Sequence, residues 1–147
     1  MKRIALSAWL SLLVCSPFAA HDPQAFENEI WWLGGRDSQT SKAVHIWNPV
    51  GEAWRSGPSM LLARSGLAAR VVQGQIMVAG GERIDSVPAQ LITTMEIFAP
   101  GADGWVPGSQ PPVAVHGVSG ASLNGEFIKV GGSDIAGSTS LNTATQI

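Results

Sequence analysis

The chain has 147 residues, 45 % of them apolar and 14 % charged, which is enough for one domain with a core and too apolar for a disordered segment. Nine Lys and Arg against eleven Asp and Glu give a net charge of −2. With no basic run beyond Lys2-Arg3, the chain lacks the concentrated positive surface that nucleic acid requires. Seventeen Gly and nine Pro, spread without a low-complexity tract, suit an all-β protein with many turns.

Lys2-Arg3, the apolar run Ile4 to Val14 and the small residues ending at Ala20 have the three-part order of a secretory signal peptide over residues 1–20. A membrane anchor would need roughly 20 apolar residues, and Ser7, Ser11, Ser16 and Pro17 interrupt this shorter run. The expectation is therefore export, to a periplasmic or secreted location, with no membrane association once the signal is removed. The single cysteine, Cys15, lies inside the segment, and Leu12-Leu13-Val14 lacks the small residue expected immediately before a lipidated cysteine. Cleavage after Ala20 leaves no thiol, hence no disulfide and no thiolate metal site. It also leaves seven basic against eleven acidic residues, a net charge of −4 that aids solubility.

Beyond the signal one phrase recurs. EIWWLGGRD (Glu29 to Asp37), QIMVAGGERID (Gln75 to Asp85) and EFIKVGGSD (Glu126 to Asp134) each run from a short apolar strand into two glycines and then turn polar. The pairs Gly34-Gly35, Gly80-Gly81 and Gly131-Gly132 are 46 and 51 residues apart. HIWNPVGEAW (His45 to Trp54) and EIFAPGADGW (Glu96 to Trp105) follow the first two pairs and align without a gap: Trp47 with Phe98, Pro49 with Pro100, Trp54 with Trp105. After the third pair Ile147 aligns with Ile46 and Ile97.

In the second repeat, Gly66 to Val72 reads as an inner strand, Gln75 to Ala79 as the second, Ile92 to Phe98 as the third and the region of Trp105 as the outer one, each bounded by Gly, Pro or polar residues. Asn124-Gly125 fits a two-residue hairpin between the first two strands of the third repeat, with Gln73-Gly74 and Asn28 in the equivalent places. The first inner strand, about Ala20 to Phe26, contains Asp22 and Pro23 and is a poor strand sequence.

A diglycine, a later aromatic and a Trp beyond it, at a period near 50, resemble the kelch repeat family. A WD repeat has a shorter period and a Trp-Asp dipeptide that the chain lacks. The resemblance implies an all-β fold, a kelch-type β-propeller of antiparallel four-stranded blades, here about two and a half repeats around 21–57, 58–109 and 110–147. Such a number of blades does not close a ring, since propellers use four to eight. The expectation is a fragment of a longer propeller, or a homo-oligomer approximating six blades, or an open array with exposed edges.

Antiparallel strands put the loops entering the inner strands and those following the diglycines at one end of the propeller. There the sequence places Arg64 and His116 before inner strands, and Arg36, Asp37, Glu82, Arg83, Asp85, Ser133 and Asp134 after glycines. This loop face is the expected ligand-binding surface. An Asp after every diglycine suggests a cation site, against the reading that these carboxylates bond their own turns, which is preferred. Arg64 and His116, which do not repeat, are either ligand contacts or ties between blades. Trp31, Trp32, Trp47, Trp54 and Trp105 are expected mostly between blades, with Trp32 pointing to the opposite face from Trp31 and offering a surface on which a sugar could stack.

The resemblance implies a module that presents loops to a protein or carbohydrate ligand, with no cofactor or metal called for and catalysis not required. The alternative is an exported carbohydrate-active enzyme resembling sialic-acid mutarotase, in which Glu82 with Arg64 or His116 would move the proton. A galactose oxidase-like copper-radical site needs a tyrosine, and the chain has none. A third reading is a remnant that keeps its export signal and has no function.

Overall fold

A computed structural model describes residues 24–137 and 144–146. The expected signal peptide, residues 1–20, and Cys15 lie outside them. The described chain is all β. Blade 1 is a four-stranded antiparallel sheet of β1 (Gln24–Phe26), β2 (Glu29–Leu33), β3 (Val44–Asn48) and β4 (Ala53–Ser56), in that spatial order. Blade 2 repeats it with β5 (Ala68–Val72), β6 (Gln75–Ala79), β9 (Met95–Phe98) and β10 (Val106–Pro107). Blade 3 has three described strands, β11 (Ser119–Leu123), β12 (Glu126–Val130) and β13 (Ala144–Gln146). A small hairpin of β7 (Glu82–Arg83) and β8 (Gln90–Leu91) lies in the loop between β6 and β9 and has no counterpart in the sequence reading.

The inner hairpins form because their turns can adopt positive φ. Glu27-Asn28 (52° and 62°), Gln73-Gly74 (49° and 73°) and Asn124-Gly125 (53° and 79°) share one left-handed two-residue geometry, whose twist matches that of the strands it joins. Alternation then gives each blade two faces. In blade 1, Trp31 and Leu33 on β2 stand opposite Ile46 and Val44 on β3 and form the downstream face, against blade 2. Ile30 and Trp32, opposite Trp47 and His45, form the upstream face. Blade 2 puts Ile76, Val78 and Phe98 upstream against blade 1, and Met77, Ala79 and Met95 downstream against blade 3, where they meet Val115, Val118 and Phe127.

The core is therefore two inter-blade layers. The first is aromatic at its centre: Phe98 lies 5.0 Å from the Trp31 ring and 5.4 Å from the Trp105 ring, and Phe26 meets Trp31 edge-on at 5.4 Å. Each such pair adds roughly 0.5–1.5 kcal/mol beyond the area it buries. Trp105 also donates its indole N–H to the Pro58 carbonyl at 2.8 Å, tying the outer part of blade 2 to the connection from blade 1.

The diglycines sit where neighbouring blades come closest. Gly35 N donates to Arg64 O at 3.0 Å and Gly81 N to Val115 O at 2.9 Å, so each diglycine bonds the segment entering the next blade. A Cβ on Gly34 would lie 2.6 Å from Arg64 O, and one on Gly80 2.5 Å from Val115 O. Both are backbone atoms and cannot turn aside.

Gly80→Ala and Gly101→Ala separate the two penalties a glycine can carry. Both positions have positive φ, 68° and 71°, but Gly101 has nothing within 4 Å of its would-be Cβ. Gly101→Ala should cost about 1–2 kcal/mol, the left-handed penalty alone, and Gly80→Ala clearly more, because the contact with blade 3 must open. Urea denaturation of the two variants reads the difference, and equal losses would refute this account of the diglycine.

Candidate functional site

The loop end gathers the side chains that the sequence placed there, but it uses them differently. Arg64, in the connection between blades 1 and 2, is enclosed, 0 % exposed, and pairs with Glu96 on β9, 1 % exposed, at 2.6 Å. Its guanidinium also donates to Gly80 O (2.9 Å) and to the Thr94 carbonyl and hydroxyl (3.0 and 3.3 Å). Glu96 in turn accepts the backbone N–H groups of Leu61 (2.6 Å) and Leu62 (3.0 Å). Burial lowers the Arg64 pKa and Glu96 partly restores it; the guanidinium stays charged. Arg64 therefore ties blades together and shows no face to solvent.

Glu82 is the hub of the second cluster. Its side chain is almost wholly buried, and one carboxylate oxygen faces Arg36 at 3.1 Å and His116 Nδ1 at 3.2 Å. The other accepts the Gly137 N–H at 2.6 Å. Arg36 follows the diglycine of blade 1, Glu82 that of blade 2, and His116 and Gly137 flank the β11–β12 hairpin of blade 3, so one carboxylate joins three blades. The opposite ring nitrogen of His116 lies 3.1 Å from Ile135 O, another acceptor, so both contacts are hydrogen bonds only when both nitrogens carry protons.

The aspartates after the glycines serve their own loops. Asp37 accepts the Gln39 N–H (3.1 Å) and the Ser38 hydroxyl (3.0 Å), which hold its carboxyl below the usual range, the Gln39 bond most strongly. Asp85 is lowered chiefly by a hydrogen bond from the Thr40 hydroxyl, whose oxygen accepts the Ile84 N–H at 3.3 Å. Arg83 is half-exposed and stands 3.9 Å from Asp85. Ser133 closes a backbone bridge with His116 and accepts the Ile135 N–H through its hydroxyl, and Asp134 is exposed beside it. Among the described residues no cluster of three or more His, Cys, Asp or Glu is placed to hold a metal ion.

Two open clefts lie on blade 1. One of about 430 Å³ runs among the loops and is lined by Trp32, Arg36, Asp37, Gln39, Ser41 and His45, with Gly34, Gly35 and Thr40. A smaller apolar one is formed by Trp32, His45 and Trp54. Trp31 and Trp32 do point to opposite faces, and Trp31 is the buried one.

Lys129 on β12 escaped the sequence reading. It occupies the position of Trp32 and Val78, 1 % exposed, and donates to Val113 O at 2.6 Å. The signal was available: a lysine at an otherwise apolar inward position of an alternating strand.

Successive antiparallel blades, two with four described strands and one with three, stacked face to face with β5 in contact with both β1 and β11, are the arrangement of a propeller sector. No family model matches the chain. An F-box/kelch-repeat protein of Arabidopsis thaliana is 32 % identical over 108 residues, 71 % of this chain and 27 % of that protein. A second from the same plant is 35 % identical over 88 residues, covering 59 % and 32 % of the two chains. The repeats are kelch repeats. The solved structure of YjhT superposes with a TM-score of 0.70 over 89 % of this chain and 43 % of its own, at 12 % identity, which supports the fold. The chain thus spans about a quarter to a third of these two relatives, and the architecture is an incomplete kelch propeller segment.

Two charge substitutions test these buried groups. Arg64→Met leaves Glu96 buried without its cation and should cost about 3–5 kcal/mol, much of it recovered in Arg64→Met/Glu96→Leu; denaturant titration measures both. For Lys129, burial lowers the folded-state pKa below the ordinary lysine value of 10.5. The unfolded chain then binds more protons in the window between the two values, so stability rises with pH through that window and is lost again below it. Lys129→Met should flatten that alkaline rise and raise stability at neutral pH by about 1 kcal/mol, an estimate scaled from the replacement of buried charges by apolar residues. An unchanged profile would show that the ammonium is not desolvated.

Proposed function

We propose that this kelch segment is a binding module that engages a protein partner through the loop end. The observation that carries this reading is the division of labour among the charged loop residues. Arg64, Glu82 and His116 are buried in ties between blades, whereas Arg36 and Asp37 line the cleft on blade 1 and Arg83, Asp85 and Asp134 reach solvent on the corresponding loops of blades 2 and 3. A buried framework that fixes exposed loops is how scaffold-borne loops come to bind. The apolar Val87 and Ile135 stand among these charges, giving the mixed surface that protein interfaces use.

A carbohydrate ligand is the second form of the same proposal, supported by Trp32 in the lining of the cleft beside polar loop residues. Catalysis of the mutarotase kind is less well supported, because both oxygens of Glu82 already have partners and Arg64 is enclosed. Export through residues 1–20 belongs to the proposal as well and rests on the order of charged, apolar and small residues.

A matched pair of exposed valines provides the test. Val87 lies in the loop end, 100 % exposed, and Val50, 91 % exposed, in the β3–β4 turn at the opposite end. With a photoactivatable residue at position 87, the chain recovered outside the cytoplasm, trimmed of residues 1–20, should carry a discrete protein adduct that excess unlabelled chain competes away. The same group at position 50 should give none. Equal labelling at the two ends, or adducts only inside the cell, would refute loop-end binding or export respectively.

A further inference from the structure

His116 is held between two acceptors. The residue is 7 % exposed, with Nδ1 3.2 Å from Glu82 Oε1 and Nε2 3.1 Å from the Ile135 carbonyl oxygen. A neutral imidazole carries one N–H and one lone pair, so it can donate to only one of the two. Charge decides which bond the neutral ring keeps. A lone pair set against the Glu82 carboxylate is worse than one set against an uncharged carbonyl, so the remaining proton stays on Nδ1 and the bond to Ile135 is given up.

The segment that this bond holds is bounded on both sides. Ser133 bonds His116 backbone to backbone, at 3.0 and 2.8 Å, and the Gly137 N–H bonds the other Glu82 oxygen at 2.6 Å. Neither tie needs a proton on Nε2. Between them the Ile135 carbonyl accepts from His116 Nε2 and from the Ser133 hydroxyl at 3.2 Å, while the Asp134 and Ile135 side chains are exposed.

The charged groups around the ring come from all three blades. Among the described residues Glu82 is the carboxylate within ion-pair distance of His116. Arg36 donates to the same oxygen at 3.1 Å and opposes a second cation there, but its side chain is 41 % exposed and that repulsion is screened. Arg83, the next residue of β7, points to the opposite face and stands beside Asp85. Arg64 is enclosed against Glu96. The Gly66–Gly117 backbone contact beside His116 brings no charge.

We infer that His116 is a proton-operated clasp on residues 134–136, closed while its ring is an imidazolium and opened when the Nε2 proton leaves for solvent. The closed form binds one proton more than the open form, so low pH favours closing and rising pH favours opening. The clasp stands whether or not the loop end binds a partner.

Nitrogen-15 NMR of the full chain, titrated from acidic to mildly alkaline pH, tests it. At the acidic end both ring nitrogens of His116 should carry protons. As pH rises Nε2 should lose its proton, and the amide signals of residues 134–136 should move with the same midpoint, those of Ser133 and Gly137 moving much less. Glu82→Gln keeps an acceptor oxygen without its charge and should lower that midpoint by about one pH unit or more. If this variant does not fold, the wild-type titration decides alone. The inference is overturned if residues 134–136 stay still while His116 titrates, if the ring holds a single proton throughout, if Nδ1 is the nitrogen that loses its proton, or if Glu82→Gln leaves the midpoint where it was.

Discussion

The architecture depends on a backbone-to-backbone approach that only glycine permits. At Gly34 and Gly80 the carbonyl of the segment entering the next blade stands where a side chain would begin, and the following amide, of Gly35 or Gly81, bonds that same carbonyl. Blade spacing at the loop end is therefore fixed by main-chain atoms, and the apolar layers farther out follow from it. Trp31 can reach Phe98, and Met77 the Val115 and Phe127 group, because the sheets are held at that separation. The loops that follow the glycines start from positions set to within a hydrogen bond.

Charge reinforces the same junctions. Arg64 and Glu96 are removed from water together, and their remaining capacity is largely taken up by backbone groups of the connection and of blade 2. A buried pair of this kind contributes little net stability over an apolar replacement, yet removing one member is costly, so it fixes arrangement more than it adds strength. Glu82 does the corresponding work across three blades, with Arg36 still half in solvent. The polar residues of the loop end thus divide into an inner set that fixes blade against blade and an outer set left available.

Much of this was legible in the sequence because it is local. Gln75 to Ala79 as the second strand, the hairpin turns at Asn124-Gly125 and Gln73-Gly74, the diglycine as a strand ending and the opposite orientations of Trp31 and Trp32 all follow from alternation and positive-φ residues. Boundaries drifted where tertiary packing decides them: β9 begins at Met95 rather than Ile92, and β5 at Ala68 rather than Gly66. The site was only partly legible. Arg36, Glu82 and His116 were placed on one face, but their convergence, and the capture of Arg64 by Glu96 from 32 residues away, depend on non-repeating residues that alignment of the repeats cannot pair. Lys129 and the β7–β8 hairpin were missed for related reasons, one a charge inside an apolar alternation and the other two-residue strands held by loop context.

Blade 2 is the only described sheet with both faces in a core, and that asymmetry sets how the molecule comes apart. β5 and β6 can open only after both of the described layers are breached. In a stack of repeats whose stability is a sum of nearest-neighbour terms, an element held on both faces opens only in the larger fluctuations, and the backbone amides of β6 exchange with solvent through those. Within the described blades, β5 and β6 are thus the slowest part to open, and a protease that needs an opened backbone would reach their peptide bonds last.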